Sequence, residues 1–170
     1  MAGIAFLLAA YVLSQFYRSF LAVLAPILTD ELAMSATDLS YASAAWFIVF
    51  ALAQVPIGSW WDRFGPRRTA AYLLLIGGVG GIALFSLATN GLAVIIAMGM
   101  IGLGCAPVLM AAFFLFVHNF SEEKFATLAA SFVGLGTLGN VLGSEPLAWA
   151  VEGLGWRFVG FGLCAITAIV

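Results

Sequence analysis

The feature that most limits what this chain can become is how rarely a charge interrupts it. Residues 4–28, 39–62, 69–88, 92–117, 125–151 and 157–170 form six predominantly apolar runs with short connections between them. About 20 apolar residues are what an α-helix needs to cross about 30 Å of hydrocarbon. No water reaches a peptide group in that medium, so a spanning segment must satisfy its own N–H and C=O groups, as a helix does. The chain is therefore expected to be an all-α integral membrane protein with about six transmembrane helices. Composition agrees, with 64% of its 170 residues hydrophobic and 8% charged, where a soluble domain carries about a quarter charged.

The few cations are placed unevenly. Arg63, Arg67 and Arg68 fall in one stretch, Gly58 to Arg68, between the second and third runs, and Lys124 lies two connections later. Only Arg157 falls in the alternate connections, and Arg18 lies inside the first run. Lys and Arg are retained on the cytoplasmic side during insertion, so four against one places the N-terminus in the cytoplasm. The segment Met1 to Ala10 has no basic start and continues into a full run, so it reads as the first helix rather than a signal peptide. A net charge of −2 with no broad basic face excludes a nucleic-acid partner. Cys105 and Cys164 sit in apolar runs away from any His, which reads as packing, with neither a disulfide nor a metal expected. His118 reads as a loop histidine. Nothing in the chain resembles a nucleophile–base pair or a phosphate-binding glycine loop, so no enzyme activity, cofactor or metal is expected.

The connections carry local signals. Thr37 before Asp38 suggests an N-cap with an acid behind it. Ala88 to Gly91 suggests a tight turn whose Asn-Gly tolerates positive φ, and Ser121 suggests the cap of the fifth helix. Glycines concentrate in helices three to five, where small residues let backbones approach in lipid. Pro26, Pro56, Pro107 and Pro146 are each expected to bend or open a span. Pro56, Asp62, Gly65 and Arg67 recur at one constant offset as Pro146, Glu152, Gly155 and Arg157. Both copies close the second helix of a three-helix unit, on opposite membrane faces. This predicts two inverted repeats, about 4–90 and 91–170, an arrangement common in secondary transporters. The run after residue 157 stops at Val170, and the chain begins without a cytoplasmic tail, so both ends read as cut.

Arg18 is the sharpest single residue. An arginine near the centre of a span costs at least about 2.5–3.5 kcal/mol to insert. Tyr11, Ser14, Gln15 and Arg18 follow helical spacing and form one polar stripe expected to face the bundle interior. The planar guanidinium suits a carboxylate or phosphate. A structural ion pair with Glu145 or backbone carbonyls is the alternative. Glu145, beside Pro146, is a candidate for a coupling proton, or else a partner of Arg157. Gln54, Trp46, Asn140 and Thr137 are candidates for the same cavity, and helix packing explains them equally well. Asp62 lies at a helix C-terminus, where an anion is disfavoured. It reads either as a solvated loop acid beside the arginines or as a latch that breaks when the cytoplasmic side opens.

The stretch containing Gly58, Asp62, Arg63, Gly65, Arg67 and Arg68 resembles the signature loop of the major facilitator superfamily, and Gly155-Trp156-Arg157 at the sixth helix looks like that family too. The resemblance covers only the family's N-terminal six-helix half, with the C-terminal half absent. It implies alternating access around a site near the midplane, in a plasma membrane (the inner membrane of a bacterium). It further implies that Gly58 and Asp62 dock on a helix of a second six-helix half, supplied by the same chain or by a second copy. Phe16-Tyr17-Arg18-Ser19 is similar to the first helix of anion–cation symporter-like members, which implies a small organic or inorganic anion moved with a proton or cation. The position where many members carry an arginine in the fourth helix is Met98. The fifth helix has Gly139, Gly143 and Pro146 without the Gly-Pro pair of the antiporters, so drug–proton export is not implied. The expectation is secondary transport of a small anion. The alternative is a non-transporting membrane scaffold, assembly factor or sensor.

Overall fold

The computed structural model describes residues 2–170. Six helices follow one another: α1 Ala2–Leu32, α2 Ala36–Phe64, α3 Pro66–Ser86, α4 Gly91–Asn119, α5 Glu122–Leu154 and α6 Trp156–Ile169. No strand occurs among the described residues. The first five are long and apolar enough to cross a membrane, and α6 is an apolar helix of 14 residues. The all-α membrane bundle is as the apolar runs dictate.

The helix starts are set by side chains. Ser35, not Thr37, caps α2: its hydroxyl accepts the Asp38 N–H at 3.2 Å, and the Asp38 carboxylate accepts the Ser35 N–H at 2.9 Å. The reciprocal box needs an acid three residues after the cap, and Asp38 stands there only relative to Ser35. Asn90 caps α4 by accepting the Ala93 N–H at 2.9 Å, with φ −154°. The expected positive-φ turn at Ala88–Gly91 is thus an extended cap, because capping satisfies a helix donor that a turn would leave free. Ser121 occupies the cap position of α5 without a side-chain bond.

Two glycines make the sharp joins. Gly65, between α2 and α3, has φ 79° and ψ 155°, and Gly155, between α5 and α6, has φ 83° and ψ 145°. A side chain at this backbone conformation is strained by about 1–3 kcal/mol. Gly155→Ala is expected to lose about that much stability, read as a lower thermal midpoint in detergent. An unchanged midpoint would show that the join tolerates other conformations.

The prolines act unequally. α1 and α2 run continuously through Pro26 and Pro56. In α4 the helix loosens at Ala106–Pro107, and α5 breaks at Ser144 (φ −111°, ψ −116°), with Pro146 in the first turn of the resumed helix. A proline removes one donor, and the ladder survives where flanking turns hold.

α4 is the central helix. α2 and α3 lie along it, α1 packs against its later half and against α5, and α6 packs on α3. Glycines set the closest approaches. A methyl on Gly102 would lie 3.1 Å from the Trp46 Cα, and one on Gly104 2.8 Å from the Gly78 Cα. A π-helical turn at Leu74–Val79 widens α3 where Gly77 and Gly78 meet α4. Along α1, Tyr11, Gln15 and Ser19 meet Gly136, Gly139 and Gly143 of α5. Rings fill the remaining space: Phe20 to Phe85 at 5.0 Å and Phe85 to Trp156 at 5.7 Å join α1, α3 and α6. At another point Phe132 of α5 lies 5.2 Å from Tyr11 and 5.5 Å from Phe116.

The ends of α1, α3 and α6 are tied by one cluster. Glu31 accepts the Trp156 indole N–H at 2.9 Å and the Arg157 guanidinium at 2.7 Å, while Arg157 also donates to the Ala88 carbonyl at 3.1 Å. The guanidinium lies 4.2 Å from the Trp156 ring centroid. Arg157 thus pairs with Glu31 rather than with Glu145, because the chain reversal after α1 brings its C-terminal carboxylate against the start of α6.

Burial is uneven: 61% of the most apolar stretch of α4 is covered within the bundle, against 22% for α2 and 17% for α5. Much of the apolar surface of α2 and α5 is left for lipid or another protein surface.

Candidate functional site in the groove between helices 1 and 2

The polar stripe of α1 divides between two neighbours. Tyr11, Ser14 and Gln15 are 7%, 5% and 8% exposed, so they are enclosed by this bundle itself. The Gln15 amide donates to the Tyr11 hydroxyl at 2.8 Å, and Tyr11 stacks on Phe132. Arg18, one turn on, leaves that interior. Its guanidinium carbon lies 5.2 Å from the Trp46 ring centroid and 5.6 Å from that of Phe47, both on α2. The two ring faces hold the cation by their quadrupoles and leave its N–H edge open. Among the described residues Arg18 has no carboxylate partner, and the only ion pair is Arg157–Glu31. The alternative, a structural ion pair between Arg18 and Glu145, is not formed.

Arg18 opens onto a groove of about 400 Å³, lined on α1 by Arg18, Leu21, Ala22 and Ala25 and on α2 by Leu39, Ser40 and Ser43. The alanines make the room, and the spacing places each set on one helix face. A larger space of about 510 Å³ between α1, α5 and α6 is lined by apolar residues such as Leu8, Val12 and Leu163 and offers an anion nothing. Of these two spaces, the Arg18 groove combines cationic and hydroxyl groups.

The other sequence candidates are dispersed. The Gln54 amide donates to the Ala106 carbonyl at 3.1 Å, pinning α2 to the loosened turn of α4 before Pro107. Asn140 is half-buried on α5, and Thr137 donates to the Gly134 carbonyl at 2.6 Å. Glu145 is exposed at the start of the resumed α5 helix. Met98 is 2% exposed in the apolar core. No group of three or more His, Cys, Asp and Glu suited to a metal occurs among the described residues.

Around the join at Gly65, Asp62 and Arg63 in the last turn of α2 and Arg67 and Arg68 in the first turn of α3 are exposed, and Asp62 has no ion-pair partner among the described residues. A methyl built on Gly58 meets nothing within 4 Å. This end of α2 thus presents an exposed, acid-bearing face that its own bundle leaves uncovered. The family model for the Major Facilitator Superfamily matches residues 7–170. The chain belongs to the major facilitator superfamily. It is also similar to the probable galactarate/D-glucarate transporter GarP of Escherichia coli strain K12, and to the protein of that description in E. coli O157:H7. Each is 26% identical over 147 residues, which is 84% of this chain and 33% of the relative. The chain spans about a third of the curated relatives it matches.

Membership of this transporter superfamily makes the long apolar helices of the fold the spans of an integral membrane protein.

Sequence reasoning missed Phe47 and the two groove serines. Ser40, Ser43 and Phe47 stand at helical spacing on α2, and that was the available signal. The Glu31–Arg157 tie joins residues 126 positions apart, and no local pattern announces it.

Proposed function

We propose that this chain forms the N-terminal half of a secondary active transporter that moves a small anion by alternating access. The observation that carries the proposal is Arg18: a guanidinium well inside a transmembrane helix, without a carboxylate partner among the described residues, held by two rings at the mouth of an open groove. A mid-span arginine persists where it faces a protein cavity or a ligand. The similarity to a probable galactarate/D-glucarate transporter supports an organic carboxylate as that anion; a proton or cation moves with it in this reading.

Arg18 anchors the carboxylate at the groove, while Tyr11, Ser14, Gln15, Gln54 and Asn140 lie outside its lining and contribute to the site only in another state of the transport cycle. Glu145 carries the coupling proton. Gly58 and Asp62 dock against a second six-helix half (in the same chain or a second copy), and Arg63, Gly65, Arg67 and Arg68 complete the gate. That half covers the sparsely buried faces of α2 and α5. The N-terminus lies in the cytoplasm, and the membrane is a plasma membrane, the inner one in a bacterium. Residues 4–90 and 91–170 act as inverted repeats. The matching backbone at Gly65 and Gly155 and the α1–α5 and α4–α2 pairings support this.

The test is uptake of labelled galactarate by proteoliposomes holding the native-length protein, with and without a proton gradient. Saturable uptake, competed by other carboxylates and not by neutral sugars, is expected. Competition by neutral sugars alone would overturn the anion assignment.

A further inference from the structure

The wall of the Arg18 groove opposite the arginine is not apolar, and its two serines differ. In a helix a serine hydroxyl ordinarily donates to a carbonyl one turn back. Ser40 does so, giving its proton to Ala36 at 2.8 Å, and so do Ser59 to Pro56 and Ser86 to Ile82. Ser43 is exposed in the groove, and its hydroxyl forms no hydrogen bond among the described residues. It is therefore free both to donate and to accept, while Ser40 keeps only its lone pairs. Trp46 and Phe47, the rings that hold the Arg18 guanidinium, follow Ser43 by three and four residues and so lie one turn along the same face.

One space of about 400 Å³ thus offers a fixed cation, one free donor–acceptor hydroxyl and one acceptor. This falls within the roughly 300–1,000 Å³ usual for small-molecule sites. A ligand hydroxyl both donates and accepts, and matches this pair. We propose that Ser43, backed by Ser40, is the specificity-determining wall of the groove. It selects a polyhydroxylated carboxylate over an anion of equal length and charge without hydroxyls. The proposal rests on the anion reading of Arg18.

The experiment compares galactarate with adipate, the dianion of the same carbon chain without hydroxyls, in proteoliposomes of the native-length transporter. A site built to bond a ligand hydroxyl rejects the analogue lacking it. Wild type is expected to prefer galactarate by at least about tenfold, and Ser43→Ala to raise the galactarate KM about tenfold. That factor corresponds to about one net hydrogen bond. Adipate transport should be unchanged, and Ser43→Thr, which keeps a hydroxyl, should retain the preference. An unaltered preference in Ser43→Ala, or an equal loss for both anions, overturns the proposal. If Arg18→Ala abolishes uptake of both anions while Ser43→Ala leaves their ratio unchanged, the anion reading stands and the serine wall falls. If wild type takes up neither anion, both fall together.

Discussion

Arg18→Ala is expected to reduce anion uptake by about a hundredfold or more while the protein reaches the membrane in normal amount. Removing one partner of a desolvated charge pair costs about 2–5 kcal/mol, and each 1.4 kcal/mol is tenfold. Stability should change little. The alanine side chain forgoes only the stacking on Trp46 and Phe47, whose ring centroids lie 5.2 and 5.6 Å from the guanidinium carbon, and such stacking is worth about 0.5–1 kcal/mol at an exposed site. Insertion becomes easier without the arginine, by about the 2.5–3.5 kcal/mol that a central arginine costs. Loss of uptake with wild-type expression and a near-normal thermal midpoint therefore separates an anion anchor from a structural cation. Arg18→Lys is expected to recover only part of the activity, since an ammonium supplies a point charge and no bidentate fork. Full uptake in the alanine variant would remove Arg18 from the site.

Helix number and approximate ends were legible in the sequence because lipid leaves a spanning backbone no alternative to the helix. Cap positions were less so. Thr37 and Ser35 are both good caps in isolation, and only the reciprocal bond with Asp38 decides between them. The α1 stripe shows the deeper limit. Spacing put Tyr11, Ser14, Gln15 and Arg18 on one face, and they do share a side of α1. That side, however, borders two helices. The glycines of α5 close over Tyr11 and Gln15, whereas the Ala22–Ala25 and Ser40–Ser43 positions leave Arg18 a groove. Periodicity along one helix reports which residues point together, and the partner helix determines which of them are enclosed.

The glycines of α4 carry the second large effect. Gly104→Val is expected to prevent folding, and Gly104→Ala to lower stability by about 3 kcal/mol, the upper end of the usual overpacking cost. The reason lies in what surrounds the missing side chain. A methyl at Gly104 would lie 2.8 Å from the Gly78 Cα and 2.9 Å from the Gly77 carbonyl carbon, all backbone with no flexible side chain to yield. The whole of α3 must shift, and α6, which packs on α3, must follow. Gly134 on α5 is the matched control: a methyl there meets nothing within 4 Å. An alanine in an unhindered helix interior is favoured over glycine by roughly 0.5–1 kcal/mol, so Gly134→Ala should hold or slightly raise the thermal midpoint. The pair separates loss of backbone freedom, common to both changes, from the steric seam that only Gly104 occupies. Equal midpoints for Gly104→Ala and Gly134→Ala would mean that α3 and α4 do not meet through their backbones.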